Sequence, residues 1–208
     1  MRTLGIDCST EACSVALFDG GRLIAHDHRI LGRGHAEHLV PMIQGLPDKG
    51  RAGRILVALG PGSFTGIRIG IATARALALV WRAEVLGYPT LALVAAMARA
   101  EHPGQPVTVC MTGGHGEWFI QDFGEDGLPS QSLRSLTPDK ASGYGTGTIF
   151  AGSKARERAA QEGPGRTVLD ILPDARHVLA LPEALLSPQI QPIYGRAPDA
   201  RLASELAG

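Results

Sequence analysis

Hydrophobic and polar positions in the first thirty residues form three short runs with the character of strands. Residues 2–7 and 12–18 are predominantly apolar, and the turn Asp19-Gly20-Gly21 leads into a third run, Arg22 to His28. In a doubly wound nucleotide-binding fold, a helix would cross over directly after the first strand. The pattern therefore predicts an α/β protein whose first sheet opens with three antiparallel strands.

The rest of the chain alternates between helical and strand patterns. In the first half we predict a helix around Pro41, a strand over 54–59, a long helix ending near Trp81, a strand over 84–87 and a helix over 91–100. The second half again begins as strand, turn, strand: Val107 to Met111 and Trp118 to Phe123 flank a Gly-rich turn. A weaker strand over 149–151 and a short charged helix over 154–162 follow, and periodicity fades after residue 170.

His102-Pro103-Gly104 interrupts both kinds of pattern, and we place a subdomain boundary there. The sequence thus predicts an N-terminal subdomain, 1–102, that carries the long helix, and a smaller, eroded C-terminal subdomain, 103–208.

The long helix is apolar around most of its circumference. Its three charged residues, Arg68, Arg75 and Arg82, are seven positions apart and form one narrow stripe. A helix that only covers one sheet is polar over about half its surface, so two interpretations are open: a protein–protein interface, or a core helix with layers on both sides. The interface interpretation assigns these residues to the contact: Ile69, Gly70, Thr73, Ala76, Leu77 and Val80.

A Gly-rich loop precedes this helix. It contains Gly60, Gly62, Ser63, Thr65 and Gly66. A dinucleotide fingerprint would need glycine where Thr65 stands, and a P-loop would need a lysine that the loop lacks. Such a junction can bind an anion at the helix N-terminus, but a tight turn capped by Ser63 or Thr65 is the favoured interpretation.

Two turns are candidates for weak phosphate loops. Asp7, Ser9 and Thr10 lie at the tip of the first hairpin, where actin-like ATPases hold nucleotide phosphates and a metal. Ser9 stands in the usual glycine place, so close backbone approach to a phosphate is hindered. The corresponding turn of the second half offers Gly113 without an aspartate to hold magnesium. These turns predict vestigial cofactor binding.

His35 and His38 could share a helix face, as metal ligands do, but no third ligand is evident nearby. A solvated or core-edge pair of histidines is the favoured interpretation, and no metal is expected. No set of catalytic residues can be assigned from sequence order alone.

Composition and charge narrow the class of protein. The chain has 208 residues, 44% hydrophobic and 19% charged, with a formal net charge of zero, so no basic footprint for nucleic acid is present. Three cysteines without a CxxC spacing indicate free thiols in a reducing compartment. No signal peptide is apparent, and the apolar stretch 69–81 is interrupted by Arg75 and too short to span a bilayer. We therefore expect a soluble cytoplasmic protein that does not associate with membranes.

Several of these segments together resemble the TsaB family of bacteria, also called YeaZ. The stretch from Gly60 to Ala78 is similar to the family signature, and Gly5 to Leu17 to its opening strand and turn. His35 with residues 39–41 matches its kinked first helix, and Pro192 to Arg196 its closing element. This chain has Thr112-Gly113-Gly114 where the family often carries Asp-Ala-Arg.

The resemblance implies an actin-like, RNase H-like fold with two subdomains, each a mixed sheet flanked by helices. It also implies a non-catalytic subunit that pairs with the catalytic paralogue TsaD, is joined by the ATPase TsaE, and is a homodimer when alone. TsaD modifies the adenosine beside the anticodon, so this chain would meet tRNA indirectly. No cofactor is expected for the chain alone, whereas ATP with magnesium is expected in the complex.

Two alternatives remain open at this point. An actin-like kinase or ATPase would bind magnesium nucleotide at Asp7, Ser9, Thr10 and Gly113. A metallopeptidase-like protein acting alone would hold a metal with His35 and a second histidine, His38.

Overall fold

Two five-stranded mixed sheets form the frame of the protein in a computed structural model that describes residues 1–195. The first sheet has the strand order β3-β2-β1-β4-β5. The elements of this N-terminal lobe are β1 Arg2–Asp7, β2 Ala12–Asp19, β3 Arg22–Ile30, α1 His35–Gly45, β4 Arg54–Ala58, α2 Phe64–Trp81, β5 Glu84–Tyr88 and α3 Thr90–Glu101. The predicted antiparallel start is confirmed, and β4 and β5 then add in parallel, each after a helix.

The second sheet has the order β10-β9-β6-β7-β8. The elements of this C-terminal lobe are β6 Val107–Thr112, β7 Trp118–Phe123, β8 Arg134–Leu136, α4 Pro138–Ala141, β9 Ile149–Ala151, α5 Ala155–Glu162 and β10 Thr167–Leu169. This sheet has as many strands as the first, although β8, β9 and β10 have only three residues each. The sequence did not predict β8, α4 or β10, which are short and contain polar residues, whereas the equally short but wholly apolar β9 was predicted as a weaker strand.

Helix α3 lies between the two sheets and joins their cores. Its side chains Leu93 and Val94 are fully buried in one cluster with Leu56 of β4 and with Val107 and Val109 of β6. The break predicted at residues 102–104 therefore separates two sheets but not two independent cores. The observed architecture agrees with the predicted class of two mixed sheets flanked by helices.

The chain after β10 returns to the first lobe. The amide of Ala175 donates a hydrogen bond to Ser14 Oγ, and Ser187 pairs with Gly87 beside β5. The amide of Ile193 donates to the carbonyl oxygen of Leu59. Parts of residues 175–195, which we had assigned to the C-terminal subdomain, thus pack on the N-terminal one.

Candidate functional site

A cleft of about 270 Å³ opens between the lobes where the two predicted phosphate turns face each other. Ser9 and Thr10 line it from the first hairpin, and Gly113 lines it from the turn between β6 and β7. The Gly-rich loop before α2 contributes Gly62 and Ser63. The structure therefore brings together residues that the sequence had singled out in three separate segments.

The cleft also has lining residues that the sequence analysis missed. Glu11 follows Thr10 directly, and Ser153 lies in the turn after β9. The Ser153 hydroxyl accepts a hydrogen bond from the amide of Thr112 at 3.0 Å. A serine in a loop between short elements has no pattern that would mark it in advance.

Asp7 is buried in the interior of the first lobe and, unlike Ser9 and Thr10, does not line the cleft. The amide and hydroxyl of Ser9 donate hydrogen bonds to Asp7 Oδ1 at 2.9 and 2.6 Å, and the Tyr88 hydroxyl donates to Oδ2 at 3.1 Å. Burial raises the pKa of the Asp7 carboxyl. Both oxygens already have protein donors, so this carboxyl anchors the hairpin tip and is not presented to the cleft.

Tyr88 is a hydrogen-bond partner of Asp7 that could not be predicted from the sequence. It is fully buried at the end of β5, and its hydroxyl donates to the carbonyl oxygen of Ile6 as well as to Asp7. Burial, with the neighbouring Asp7, raises the pKa of Tyr88 well above its usual value, so the tyrosine stays a neutral donor.

The glycines of the loop before α2 are required by close backbone packing. A Cβ atom at Gly62 would lie 2.0 Å from the carbonyl oxygen of Ser9, and one at Gly66 would lie 2.0 Å from that of Cys8. Ser63 connects the same segments, because its amide donates to the Ser9 carbonyl at 2.7 Å. The loop is therefore seated directly on the tip of the first hairpin.

The same loop is a capped turn, as the favoured interpretation predicted. Ser63 Oγ accepts a hydrogen bond from the amide of Gly66 at 3.3 Å, whereas Thr65 is exposed. At Gly60 the backbone has φ of 99°, and a Cβ there would lie 2.7 Å from the carbonyl oxygen of Ile193. Gly113 has a similar role, since its added Cβ would lie 2.7 Å from the carbonyl oxygen of Glu117.

Helix α2 has one face on the first sheet and one face in solvent. Of its large apolar residues, Leu79 is 84% exposed, Val80 is 75% exposed and Phe64 is 54% exposed. The residues predicted to lie at an interface divide between the faces: Ala76 and Val80 are exposed, and Ile69, Thr73 and Leu77 are half-buried. Gly70 differs, because it is buried and its added Cβ would lie 3.6 Å from Val57 of the sheet. Gly70 is therefore removed from the proposed contact.

The exposed beginning of α2 carries a stack of three side chains. The Arg68 guanidinium lies 3.7 Å from the centroid of the Phe64 ring, and that ring is 5.8 Å from the ring of Tyr194. Arg68 also donates to the Tyr194 hydroxyl at 3.0 Å. The stack places part of the predicted closing element beside the helix, while Arg196 lies outside the described residues.

Among residues 1–195, α2 is the one helix long and apolar enough to cross a membrane by length and composition, with a mean hydropathy of 1.3. The helix begins at Phe64, five residues before the apolar stretch 69–81 that the sequence analysis considered. The helix nevertheless buries Ile67 and Ile71 in the core of the first lobe. One face of α2 therefore packs in the core of the first lobe, and the other face is in solvent.

The two histidines of the first helix are oriented differently. His35 is buried, with Nε2 3.3 Å from the carbonyl oxygen of Ala12, whereas His38 is exposed. Within the described part of the chain, no three side chains of His, Cys, Asp or Glu are grouped so that they could hold a metal ion. The hydrogen bond of His35 agrees with the interpretation of a core-edge histidine.

Comparison with known proteins places the chain among tRNA-modification proteins. The family described as "TsaD: tRNA N6-adenosine threonylcarbamoyltransferase" matches residues 29–168. The tRNA threonylcarbamoyladenosine biosynthesis protein TsaB of Haemophilus influenzae is 30% identical over 226 residues, covering 93% of this chain and 92% of that protein. The TsaB protein of Escherichia coli K12 is 37% identical over 131 residues, a match that spans 61% of this chain and little more than half, 56%, of that protein.

A solved structure shows the same architecture. YeaZ from Pseudomonas aeruginosa superposes with a TM-score of 0.78 at 27% identity, over 93% of this chain and 99% of that one. The two lobes, the cleft and the Gly-rich loop seated on the first hairpin thus belong to a known actin-like fold, and the chain is a member of the TsaB (YeaZ) family.

Proposed function

We propose that this protein is a non-catalytic partner subunit in the formation of threonylcarbamoyladenosine in tRNA, and that it pairs with a TsaD homologue. The family to which it belongs takes part in that biosynthesis. The observation that carries the proposal is the exposed apolar face of α2, formed by Ala76, Leu79 and Val80.

This face has the composition of a protein-binding surface. Burying a side chain such as Leu79 or Val80 contributes about 1.5–3 kcal/mol relative to leaving it exposed. The neighbouring Ala76 is small and allows a second helix to approach closely. Arg75 and Arg82 are exposed beside it and supply the polar rim that interfaces have around an apolar centre. We therefore assign the face to a partner helix.

The cleft supports a role without turnover by the chain alone. Magnesium bound with a nucleotide takes carboxylate ligands, and the oxygens of Asp7 accept their hydrogen bonds from Ser9 and Tyr88. We propose that ATP and magnesium are used in the assembled complex, to which a TsaE homologue contributes the ATPase. Heat released on titration of the isolated chain with magnesium and ATP would instead favour an actin-like ATPase.

The proposal also covers the oligomeric state of the protein and its location in the cell. Alone, it forms a homodimer through the α2 face, which exchanges for the heterodimer when the TsaD homologue is present. A formal net charge of zero supports contact with tRNA through the complex rather than by this chain. Three free cysteines, all buried, suit a reducing cytoplasm.

The test is light scattering coupled to size-exclusion chromatography, on the chain alone and mixed with the TsaD homologue of the same organism. The proposal expects a homodimer that is replaced by a one-to-one heterodimer. The variant Ala76→Arg places a bulky charge in the contact and should weaken pairing by at least about tenfold. The matched control is Ala160→Arg, since Ala160 is an exposed alanine on α5 of the other lobe.

Two results would contradict the proposal. One is a monomer that ignores the TsaD homologue. The other is native affinity in Ala76→Arg while circular dichroism shows an unchanged fold, because the exposed face of α2 would then have no part in pairing.

A further inference from the structure

Two cysteines face each other beside the tip of the first hairpin. Cys8 follows β1 directly and Cys13 lies in β2, with Sγ atoms 3.5 Å apart. The strand register pairs Asp7 with Ser14, so the next pair toward the tip sets Cys8 opposite Cys13. We propose that this pair is a site of reversible disulfide formation, which fastens the hairpin tip where it lines the cleft.

The geometry of the pair suits the bond. Residues directly opposite each other in antiparallel strands have Cα atoms about 4.5–5.5 Å apart, within the span of about 4.4–6.8 Å that disulfides occupy. The sulfurs need to approach by roughly 1.5 Å to reach bonding distance, which side-chain rotation supplies without a shift of the strands. Cys110, the third cysteine, lies in β6 of the other lobe and is the internal control.

The oxidant that fits this buried pair is a small peroxide. One thiolate attacks a peroxide oxygen, which yields a sulfenic acid and releases one water after proton transfer. The second thiolate attacks the sulfenic sulfur, the S–O bond breaks, and a second water leaves. Two thiols thus lose two electrons and two protons, and hydrogen peroxide is reduced to two waters.

The residues around Cys8 and Cys13 determine how fast the disulfide forms and which part of the protein it restrains. The hydrogen bond with Cys13 and burial raise the pKa of Cys8 well above its usual value, so oxidation is slow and proceeds through local opening of the hairpin tip. The bond closes a short ring around Ser9 and Thr10, both of which line the cleft. Gly66, at the beginning of α2, packs against the carbonyl of Cys8. The disulfide would therefore also restrain the beginning of α2.

The experiment uses the purified, fully reduced chain treated with hydrogen peroxide, then unfolded, alkylated and digested with trypsin without reductant. Cleavage after Arg2 and Arg22 gives one peptide, Thr3 to Arg22, that contains both Cys8 and Cys13. This peptide is expected to lose the mass of two hydrogens and to carry no alkyl group, and dithiothreitol should reverse both changes. The Cys110 peptide should be alkylated.

Cysteine variants distinguish the effect of the Cys8–Cys13 disulfide from the effects of oxidation elsewhere in the protein. Oxidised wild type should melt roughly 5 °C above the reduced protein, Cys110→Ser should do the same, and Cys13→Ser should show neither the mass loss nor the shift. A doubly alkylated Thr3 to Arg22 peptide, a sulfinic or sulfonic acid at Cys8, or disulfides between chains would each overturn the proposal. None of these measurements requires a partner protein, so they do not depend on the proposed pairing.

Discussion

Helices α2 and α3 have similar apolar sequences and opposite surroundings. In α3, eight of twelve residues are buried, because one sheet packs on each side of the helix. In α2, five of eighteen residues are buried, and Leu79 and Val80 are left in solvent. The sequence offered two interpretations of an over-apolar helix, a core helix between layers and an interface. Helix α3 is such a core helix, whereas α2 has an exposed apolar face, which we propose to be the interface.

The difference shows what an apolar pattern can and cannot specify. Periodicity identifies a helix without a large polar face, but the number of layers around it depends on where the next sheet begins. The second sheet starts at Val107, six residues after the end of α3, and folds back over that helix. The second sheet does not cover α2, so Leu79 and Val80 on its outer face remain exposed.

The largest expected effect is on the free energy of unfolding, when one leucine is truncated in each of the two helices. Leu93→Ala in α3 removes a fully buried side chain and should lower the free energy of unfolding by about 2–5 kcal/mol. Leu79→Ala in α2 removes an exposed one and should change it by less than about 0.5 kcal/mol. Urea denaturation, at a protein concentration low enough to dissociate the proposed homodimer, measures both losses, and equal losses would show that the two environments do not differ as described.

A second, smaller effect compares two glycines within α2. Gly66→Ala would force Cβ to within 2.0 Å of the Cys8 carbonyl oxygen and should cost about 1–3 kcal/mol of stability. Gly70→Ala places Cβ in ordinary contact, 3.6 Å from Val57, and should gain up to about 1 kcal/mol from helix propensity. Thermal unfolding of both variants is the measurement. A tolerated Gly66→Ala would mean that the loop is not held against the hairpin.

The smallest effect concerns the buried Asp7. Because burial raises its pKa in the folded state, the folded protein holds this proton more tightly than the unfolded chain. The favourable contribution is complete below the unfolded value of about 3.9 and is lost as the pH rises through the raised folded value. Asp7→Asn removes the titration, so its stability relative to wild type should increase between pH 4 and pH 8.

Urea titrations of both proteins across that pH range test this expectation. Ser9→Ala is a useful companion, since it removes one donor to Asp7 Oδ1 while leaving the carboxyl in place. A stability difference between wild type and Asp7→Asn that does not depend on pH would contradict the assigned burial.

Much of the first lobe could be predicted from the sequence because its elements are long and periodic. The hairpin of β1 and β2, the helix α2 and its Ser63 cap depend on local patterns, and the structure confirms them. The short elements β8 and β10 were not predicted, because three residues do not define a period and, unlike the wholly apolar β9, each of them contains a polar residue.

The sequence predicted several residues of the candidate site, but not the contacts that hold them together. Ser9 and Gly113 were identified as turn residues, and the cleft brings them together. The hydrogen bond of Tyr88 to Asp7 spans 81 positions, and the stack of Tyr194 on Phe64 spans a still larger distance in sequence. Contacts between distant single residues leave no periodic signal, so only a folded structure could reveal them.

The return of residues 175–195 to the first lobe has a consequence for synthesis on the ribosome. Val178 packs against Gly5, and Ile193 bonds to Leu59, so the N-terminal sheet acquires part of its cover from the end of the described chain. Domains generally fold in the order in which they emerge, but here the N-terminal sheet must wait for residues 175–195. We therefore expect the N-terminal lobe to complete its folding only after residues 175–195 have been translated.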